Sequence, residues 1–232
     1  MNNNFDRFTG LADVYEKARP GYAANAIDYI LSRLAPPNPS FADIGAGTGK
    51  LSELLAPRVS RLYAVEPNSD MRSKLIAVLA PFPNAEVING GAEVTGLPDN
   101  SVDAVICAQA FHWFYANAFR RECERVLRPG GQIIIVYNQH DYHHRESVYN
   151  SSDRERLASA FFNGEMLRAS FPNSTSYDRD GYVAYRLSHS NSPNPGDADY
   201  ESAVAGYNGF FDSENTDGII TLDFITNVYS KV

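Results

Sequence analysis

The chain has 232 residues, of which 44% are hydrophobic, and this suffices for one domain with a substantial core. A net charge of −8 argues against a protein that holds a nucleic-acid backbone, because such proteins present a basic surface. No apolar run approaches the roughly 18 residues of a membrane span, and the polar start lacks a signal-peptide core. We therefore expect a cytoplasmic protein that contacts neither nucleic acid nor membrane.

The elements begin with a helical N-terminal segment, residues 5–35. It contains two helical stretches, Leu11 to Ala18 and Tyr22 to Ala35, and the second has an apolar face at helical spacing. From Ser40 to Asn138 the pattern alternates strand and helix, which predicts a parallel sheet with helices on both faces. Sheets of this kind bind ligands at the carboxyl ends of their strands.

The pattern beyond Asn138 is weaker. Residues 154–167 are helix-like, residues 171–177 are strand-like, and residues 200–211 are again helix-like. Residues 218–229 alternate in a way that predicts a final strand. Between them, residues 191–197 are rich in Pro, Gly and Asn and predict a loop.

The first chemical motif is DIGAGTG, residues 43–49, which lies between an apolar run and the helix-like stretch LSELLAP. Glycines let the backbone turn sharply and let a ligand approach it, and the helix behind them offers unpaired N–H groups. Dinucleotide enzymes use G-x-G-x-x-G at such a turn, but Lys50 occupies the third glycine position here. A plain tight turn is the other alternative.

An acidic residue completes the cradle. Residues 62–65 predict a short buried strand that ends at Glu66, 21 residues after Gly45. A carboxylate at this position can accept hydrogen bonds from both hydroxyls of a ribose, whereas the alternative is a surface glutamate at a strand end. Asn68 or Ser69 can cap the next helix.

The D-x-G-x-G-x-G form resembles the first motif of the class I S-adenosylmethionine (SAM) dependent methyltransferases. Residues 89–114 resemble the third and fourth motifs of that family, and residues 122–138 resemble its helix, turn and fifth strand, in the family's order. YEKARPGY and HWF are similar to segments of the ubiquinone-biosynthesis and trans-aconitate methyltransferases. The chain is thus identified as a class I methyltransferase of the small-molecule type.

The resemblance implies an α/β fold, namely a Rossmann-like, doubly wound, seven-stranded sheet that is mostly parallel with an antiparallel last strand and helices on both faces. It favours a helix over residues 182–188. It implies one domain over residues 1–232, with an N-terminal helical lid (5–35), a SAM-binding core (40–138) and a shortened substrate-side region with the final strands (139–232). The segment 140–170 is short for the family, which puts the size of the substrate in doubt.

The resemblance also implies SAM as cofactor and assigns roles to individual residues. Glu66 is expected at the ribose, Met71 over an adenine face or in the core, and Glu93 near the adenine amino group. The loop after the fourth strand is expected at the methionine end. The residues expected to bind SAM are Asp43, Gly45, Ala46, Gly47, Thr48, Glu66, Pro67, Met71, Ala92, Glu93, Ala108 and Gln109.

The acceptor side has fewer signals, because methyl transfer mainly needs alignment and exclusion of water. His112 is the candidate catalytic base or acceptor-positioning group, and the alternative is a histidine packed in its loop. Tyr15, Arg19 and Tyr22 are candidates for a substrate-binding lid, and Arg19 could pair with the SAM carboxylate or an acidic substrate. An Arg on the surface is the alternative. Trp113 is expected to form a wall of the site.

A metal site is not expected. His140, His143 and His144 have a spacing that fits no usual zinc pattern, and Cys107 and Cys123 give no metal or disulfide framework.

Two other functions stay open at this point. A nicotinamide oxidoreductase is disfavoured by Lys50 and by the later motifs. A catalytically silent protein that binds SAM as a sensor or scaffold would carry the same cradle, since a fold does not fix a function.

Overall fold

The computed structural model describes residues 18–34, 36–140, 151–189 and 192–231 of the chain. The strands that lie within these ranges form one seven-stranded sheet. They are β1 (Ser40–Ile44), β2 (Arg61–Val65), β3 (Ala85–Ile88), β4 (Val102–Ala108), β5 (Leu127–His140), β6 (Met166–Tyr177) and β7 (Ile220–Lys231). The helices are α1 (Ala24–Ser32), α2 (Lys50–Leu55), α3 (Ser69–Leu79), α4 (Ala116–Val126), α5 (Ser151–Phe161), α6 (Arg179–Leu187) and α7 (Tyr200–Glu214), with 3-10 turns at Ala56–Arg58 and Phe111–Trp113.

The sheet has the strand order β3-β2-β1-β4-β5-β7-β6. Strands β1 to β5 are parallel to one another, whereas β7 pairs antiparallel with both β5 and β6. This confirms the predicted fold class, including the antiparallel last strand. The carboxyl ends of β1, β2, β4 and β5 therefore meet at one edge, which we call the carboxyl edge.

Two hydrophobic clusters cover the two faces of the sheet. Successive side chains of a strand point to opposite faces, so Phe41 joins the cluster under α1, α2 and α3, and Ala42 and Ile44 join the cluster under α4 and α5. All residues of β1 are buried, as expected for a strand covered on both faces. A third, aromatic cluster joins α6 and α7 to the outer strands, and it includes Tyr177, Tyr182, Tyr185, Phe211 and Phe224.

Some predicted boundaries were wrong. The helix expected over residues 154–167 ends at Phe161, because Asn163 and Gly164 adopt positive φ angles of 55° and 82° that a helix does not continue through. The sixth strand consequently begins at Met166 rather than Phe171, and it pairs with β7 along its whole length. The preferred helix assignment for residues 182–188 was right, since these residues fall largely in α6.

The segment Pro129–Gly131 also differs from the prediction of a helix stop and a separate tight turn. Helix α4 does end at Val126, but the segment lies within β5. Val102 pairs with Leu127 whereas Ala104 pairs with Gln132, so the extra residues bulge out of the ladder, with Gly130 at a φ of +81°.

Residues 18–23, which we call the N-terminal strap, connect to the carboxyl edge. The Asn138 side chain donates to the Gly21 carbonyl at 2.6 Å and accepts from the Thr226 hydroxyl at 2.5 Å. The Thr226 oxygen accepts in turn from the Ala23 N–H at 3.1 Å. The described part of the predicted lid is thus bonded to β5 and β7, whereas the stretch predicted at Leu11–Ala18 lies almost entirely outside the described residues.

Asn138 holds this strap, and Asn138→Leu should release it. The substitution keeps the volume but leaves the buried Thr226 hydroxyl without its acceptor and removes one of the two side-chain donors to the Gly21 carbonyl, of which Asn173 is the other. We therefore expect unfolding to become about 1–3 kcal/mol easier and amide exchange at residues 21–23 to accelerate. Calorimetry and hydrogen exchange measure the two effects. Asn208→Leu is the control, because Asn208 donates within its own helix; equal effects of the two variants would contradict the prediction.

Candidate active site at the carboxyl edge

The glycine-rich loop follows β1 and turns sharply over the end of β2. Gly45, Gly47 and Gly49 have φ angles of +70°, +58° and +97°, a region that other residues rarely adopt. The N–H groups of Gly45 and Ala46 both donate to the Val65 carbonyl, at 2.9 and 3.1 Å. The loop predicted from the sequence is therefore anchored on the neighbouring strand.

Two of these glycines serve different purposes. A Cβ at Gly45 would lie 2.8 Å from the Ala110 Cβ and 3.2 Å from the Phe114 ring, because the chain after β4 packs against this position. A Cβ at Gly47 would meet no atom within 4 Å. Packing therefore requires glycine at position 45, whereas Gly47 leaves its Cα accessible to a ligand.

Glu66 lies where the sequence predicted an acid, directly after β2. Its carboxylate oxygens accept from the Gly47 and Asn68 N–H groups, each at 2.9 Å. Its side chain is 7% exposed, and burial raises the pKa of the carboxyl while the two hydrogen bonds lower it in part. Each oxygen uses one of its lone pairs in these bonds, so each can still accept a hydrogen bond from a ligand hydroxyl.

The turn after Glu66 is well fixed. The Asn68 side chain caps α3 by accepting from the Asp70 and Met71 N–H groups, both at 3.0 Å. Arg72 donates to the carbonyls of Glu66 and Pro67. Met71 is buried in the first turn of α3, as predicted, and this position suits both a core methionine and a contact with a base.

Two buried polar atoms of the loop have no hydrogen-bond partner in the described part of the chain. The Asp43 Oδ2 accepts from the Ser52 hydroxyl at 2.6 Å, but the Asp43 Oδ1 and the Thr48 Oγ1 have no hydrogen-bond partner among the described residues. Buried polar atoms are nearly always satisfied, so these two atoms indicate where a polar ligand or water contributes. Burial, and to a lesser degree the charge of Glu66, raises the pKa of Asp43 to about 7.

The Asp43 carboxyl should make the ligand-free protein less stable as the pH rises from 5 to 8. Because its pKa is about 7 in the folded protein and 3.8 in its ordinary range, the folded state retains a proton that the unfolded chain loses. The contribution of this proton to the stability of the folded state is complete below about pH 4 and is lost as the pH rises through 7. Asp43→Asn should flatten the dependence of the melting temperature on pH, measured by scanning fluorimetry.

Asp103→Asn serves as the control for this prediction. Hydrogen bonds and an ion pair with Ser40 and Arg128 lower the pKa of Asp103. The contribution of Asp103 to the stability of the folded protein therefore changes only at a more acidic pH. If the melting temperatures of the wild type and Asp43→Asn change with pH at the same slope between pH 5 and 8, the assignment of this pH dependence to Asp43 is refuted.

The segment after β3 is tied to the segment after β4. Ala92 is buried, and the Glu93 carboxylate accepts from the Tyr115 N–H at 2.8 Å, at the start of α4. The structure thus gives Glu93 a backbone partner next to the position where the resemblance implies an adenine. The contact with Tyr115 could not be inferred from the sequence.

The end of β4 carries strain. Ala108 is the last residue of β4, and Gln109 then adopts a φ of +56°, which is uncommon for a residue with a side chain. Its N–H donates to the Val136 carbonyl and its amide group donates to the Asn138 carbonyl, at 2.9 and 2.7 Å. These bonds hold the strained residue in place, and strain of this kind is typical of functional sites.

His112 lies in the 3-10 turn that follows β4. Its Nδ1 is 3.5 Å from the Tyr137 hydroxyl, and its ring centroid is 4.7 Å from that of Trp113. Burial, and then the charge of Arg154, lowers the pKa of His112 to about 3. The imidazole is therefore neutral near pH 7 and can donate or accept a hydrogen bond, but it is a weak base.

The other candidates for the acceptor side are spread more widely. Arg19 donates to the Ser188 carbonyl at 2.9 Å, and its guanidinium carbon lies 5.9 Å from the centre of the Tyr185 ring, at the end of α6. Tyr22 packs against the cluster under α1. Tyr15 lies outside the described residues.

Among the histidines named for a metal site, His140 contacts the Phe224 ring, whereas His143 and His144 lie outside the described residues. The described residues contain no group of three side chains arranged to hold a metal ion. In the same part of the chain, no helix combines the length and apolar character needed to cross a membrane.

Two residues near His112 were missed. Tyr137 is fully buried in β5, one residue beyond the part of β5 that pairs with β4. Arg154 lies in the first turn of α5, with its guanidinium carbon 5.4 Å from the centre of the Tyr137 ring. Tyr137 could have been found, since it directly follows the strongest β-branched run of the chain and so lies at a carboxyl end. Arg154 gives no such signal, because its helix is separated from β5 by residues 141–150.

Comparisons with known proteins agree with this geometry. Residues 42–135 match the family described as methyltransferase domain. An uncharacterized methyltransferase of Mycobacterium tuberculosis (strain ATCC 25618 / H37Rv) is 42% identical over 134 residues, which are 58% of this chain and 53% of that protein. An uncharacterized methyltransferase-like protein of Schizosaccharomyces pombe is 37% identical over 135 residues, 57% of this chain and 51% of that protein. The chain spans about half the length of these relatives.

Solved structures share the fold over most of the chain. A type II methyltransferase candidate from Anaeromyxobacter dehalogenans superposes with a TM-score of 0.62 and 24% identity, over 91% of this chain and 96% of that one. A SAM-dependent methyltransferase from Aquifex aeolicus superposes with a TM-score of 0.54 and 13% identity, over 95% of this chain and 97% of that one. The [4+2]-cyclase SpnF superposes with a TM-score of 0.58 and 17% identity, over 98% of this chain and 94% of that one. At these identities the likeness shows the fold alone.

Proposed function

We propose that this chain is a class I SAM-dependent methyltransferase, which binds SAM at the carboxyl edge and transfers its methyl group to a small-molecule acceptor. The observation that carries the proposal is the Glu66 carboxylate, which the N–H groups of Gly47 and Asn68 hold beside the glycine loop. The loop and the acid thereby form one surface with acceptors for hydroxyl groups and room for a ligand above Gly47.

The residues present fit SAM. The two Glu66 oxygens can each accept one more hydrogen bond, which suits the two hydroxyls of a ribose. The Asp43 Oδ1 and Thr48 Oγ1 have no partner among the described residues and provide further polar contacts. Lys50 stands where a dinucleotide enzyme has its third glycine, so the loop favours a nucleoside without a pyrophosphate.

When bound, SAM supplies a methyl group on a sulfonium, a good leaving group that needs no activation. The residues of this chain then have to align the acceptor and exclude water. The Phe114 ring lies beside Gly45 as an apolar wall, and the buried Phe111 ring packs against it edge-on. His112 is neutral and bonded to Tyr137, so we assign it the positioning of the acceptor rather than the removal of a proton.

The size of the acceptor and the domain organisation are part of the proposal. The net charge of −8 disfavours nucleic-acid substrates, and we propose a small molecule instead.

We also propose that residues 1–232 form a single domain. A structure with the same fold covers 91% of this chain, which supports this proposal.

Isothermal calorimetry should detect binding of SAM and S-adenosylhomocysteine and no binding of NAD. Glu66→Gln should weaken SAM binding about ten- to a hundredfold, because hydrogen bonds to a charged group contribute about 1.5–3 kcal/mol. Glu86→Gln is the control, since Glu86 is exposed and pairs with Arg61 on β2.

NAD binding without SAM binding would overturn the proposed function. SAM binding without methyl transfer to any member of a broad acceptor panel would instead establish a silent binding protein, a role compatible with this fold.

Gly47→Ala should abolish SAM binding without unfolding the protein. The new Cβ meets no protein atom, so the fold loses only about 1 kcal/mol from the positive φ angle, whereas the methyl group occupies ligand space. Gly130→Ala is a matched control, because Gly130 has a φ of +81° and equally open surroundings far from the loop. If Gly47→Ala binds SAM as tightly as Gly130→Ala does, the loop is not the cofactor site.

A further inference from the structure

Arg154 is a partly buried cation beside the candidate active site. It lies in the first turn of α5, and its guanidinium carbon is 5.4 Å from the centre of the Tyr137 ring. Cation–π contact orients a guanidinium while leaving its N–H groups available at the edge.

Among the described residues, no acceptor binds these N–H groups. The nearby Arg156 pairs with Asp153 at 2.9 Å, and Arg168 pairs with Glu155 at 2.6 Å. Arg154, by contrast, has neither an ion pair nor a hydrogen bond with any of the described residues. Other partly buried arginines, Arg72 and Arg120, donate to backbone carbonyls, whereas Arg154 donates to no acceptor among the described residues.

The position of Arg154 connects it to the proposed chemistry. The Tyr137 hydroxyl beneath it reaches the Nδ1 of His112, at 3.5 Å. His112 lies two residues from Ala110, which packs against Gly45 of the glycine loop. Arg154, Tyr137 and His112 thus form a row that runs from α5 toward the cofactor cradle, and we call it the acceptor row.

We propose that Arg154 binds a carboxylate group of the methyl acceptor, so that the substrates of this protein are small carboxylic acids. The inference rests on the proposed function and names the substrate class for the same site. A guanidinium presents two parallel N–H donors that match the two oxygens of a carboxylate, and partial burial strengthens the pairing. His112 is neutral, so Arg154 supplies the positive charge of the row.

The test uses the wild-type protein and two probes of nearly equal shape, benzoate and benzamide, at constant ionic strength. NMR signals of the His112 ring, assigned with His112→Gln, report occupancy of the acceptor row. Benzoate should shift these signals saturably at pH 7, where benzoate is an anion and the His112 ring is neutral. Benzamide should bind at least tenfold more weakly.

Substitutions test whether Arg154 is the residue that binds benzoate. Arg154→Gln should weaken benzoate binding at least tenfold, and Arg154→Lys should restore part of it, while SAM binding stays unchanged in both. Arg156→Gln removes the same charge from the exposed side of the same helix and should leave benzoate binding intact. Melting temperatures verify that each variant is folded, and the comparison of benzoate with benzamide needs no variant.

Three results would overturn the inference: equal binding of benzoate and benzamide, equal effects of Arg154→Gln and Arg156→Gln, or binding of inorganic phosphate in preference to benzoate. The titrations are made with and without S-adenosylhomocysteine. Loss of SAM binding in calorimetry would refute the proposed function, whereas the benzoate titration of the ligand-free protein still decides whether Arg154 binds a carboxylate.

Discussion

The two hydrogen bonds from backbone N–H groups to the Glu66 carboxylate are the interaction on which the candidate site depends. Burying a carboxylate is unfavourable unless donors surround it, and here Gly47 and Asn68 supply them. The pairing of Ile44 with Val65 makes this possible, because the loop and the acid then leave the sheet side by side. The pKa of Glu66 is nevertheless raised, so burial outweighs the two donors until a ligand adds more.

A second contact joins the glycine loop to the segment that follows β4. Ala110 and Phe114 lie so close to Gly45 that any side chain there would displace them. The same short segment contains His112, which reaches Tyr137 on the next strand. A change in the glycine loop therefore reaches the acceptor row through packed atoms, without any long-range motion, because a densely packed interior transmits small displacements.

The parts of the site that the sequence predicted are those set by local patterns. The positive φ angles of the glycine loop, the cap at Asn68 and the acid at the end of β2 each follow from neighbouring residues and strand spacing. The partner of Glu93 and the position of Arg154 depend on contacts across many residues, which periodicity does not encode. The helix end at Phe161 was missed for another reason: Asn163 and Gly164 end the helix, but the apolar pattern continues through them into β6.

Two consecutive residues of β5 face different parts of the molecule. Tyr137 and Asn138 are consecutive, so their side chains point to opposite faces of the sheet: Tyr137 meets Arg154 and His112, whereas Asn138 holds the N-terminal strap at Gly21. The family match ends at residue 135, directly before this pair. The glycine loop, Glu66 and His112 therefore lie within the matched segment, whereas Tyr137 and Arg154 lie beyond it. Substitutions of Arg154 in α5 can change the charge beside Tyr137 while β5, the strap and the glycine loop remain as they are.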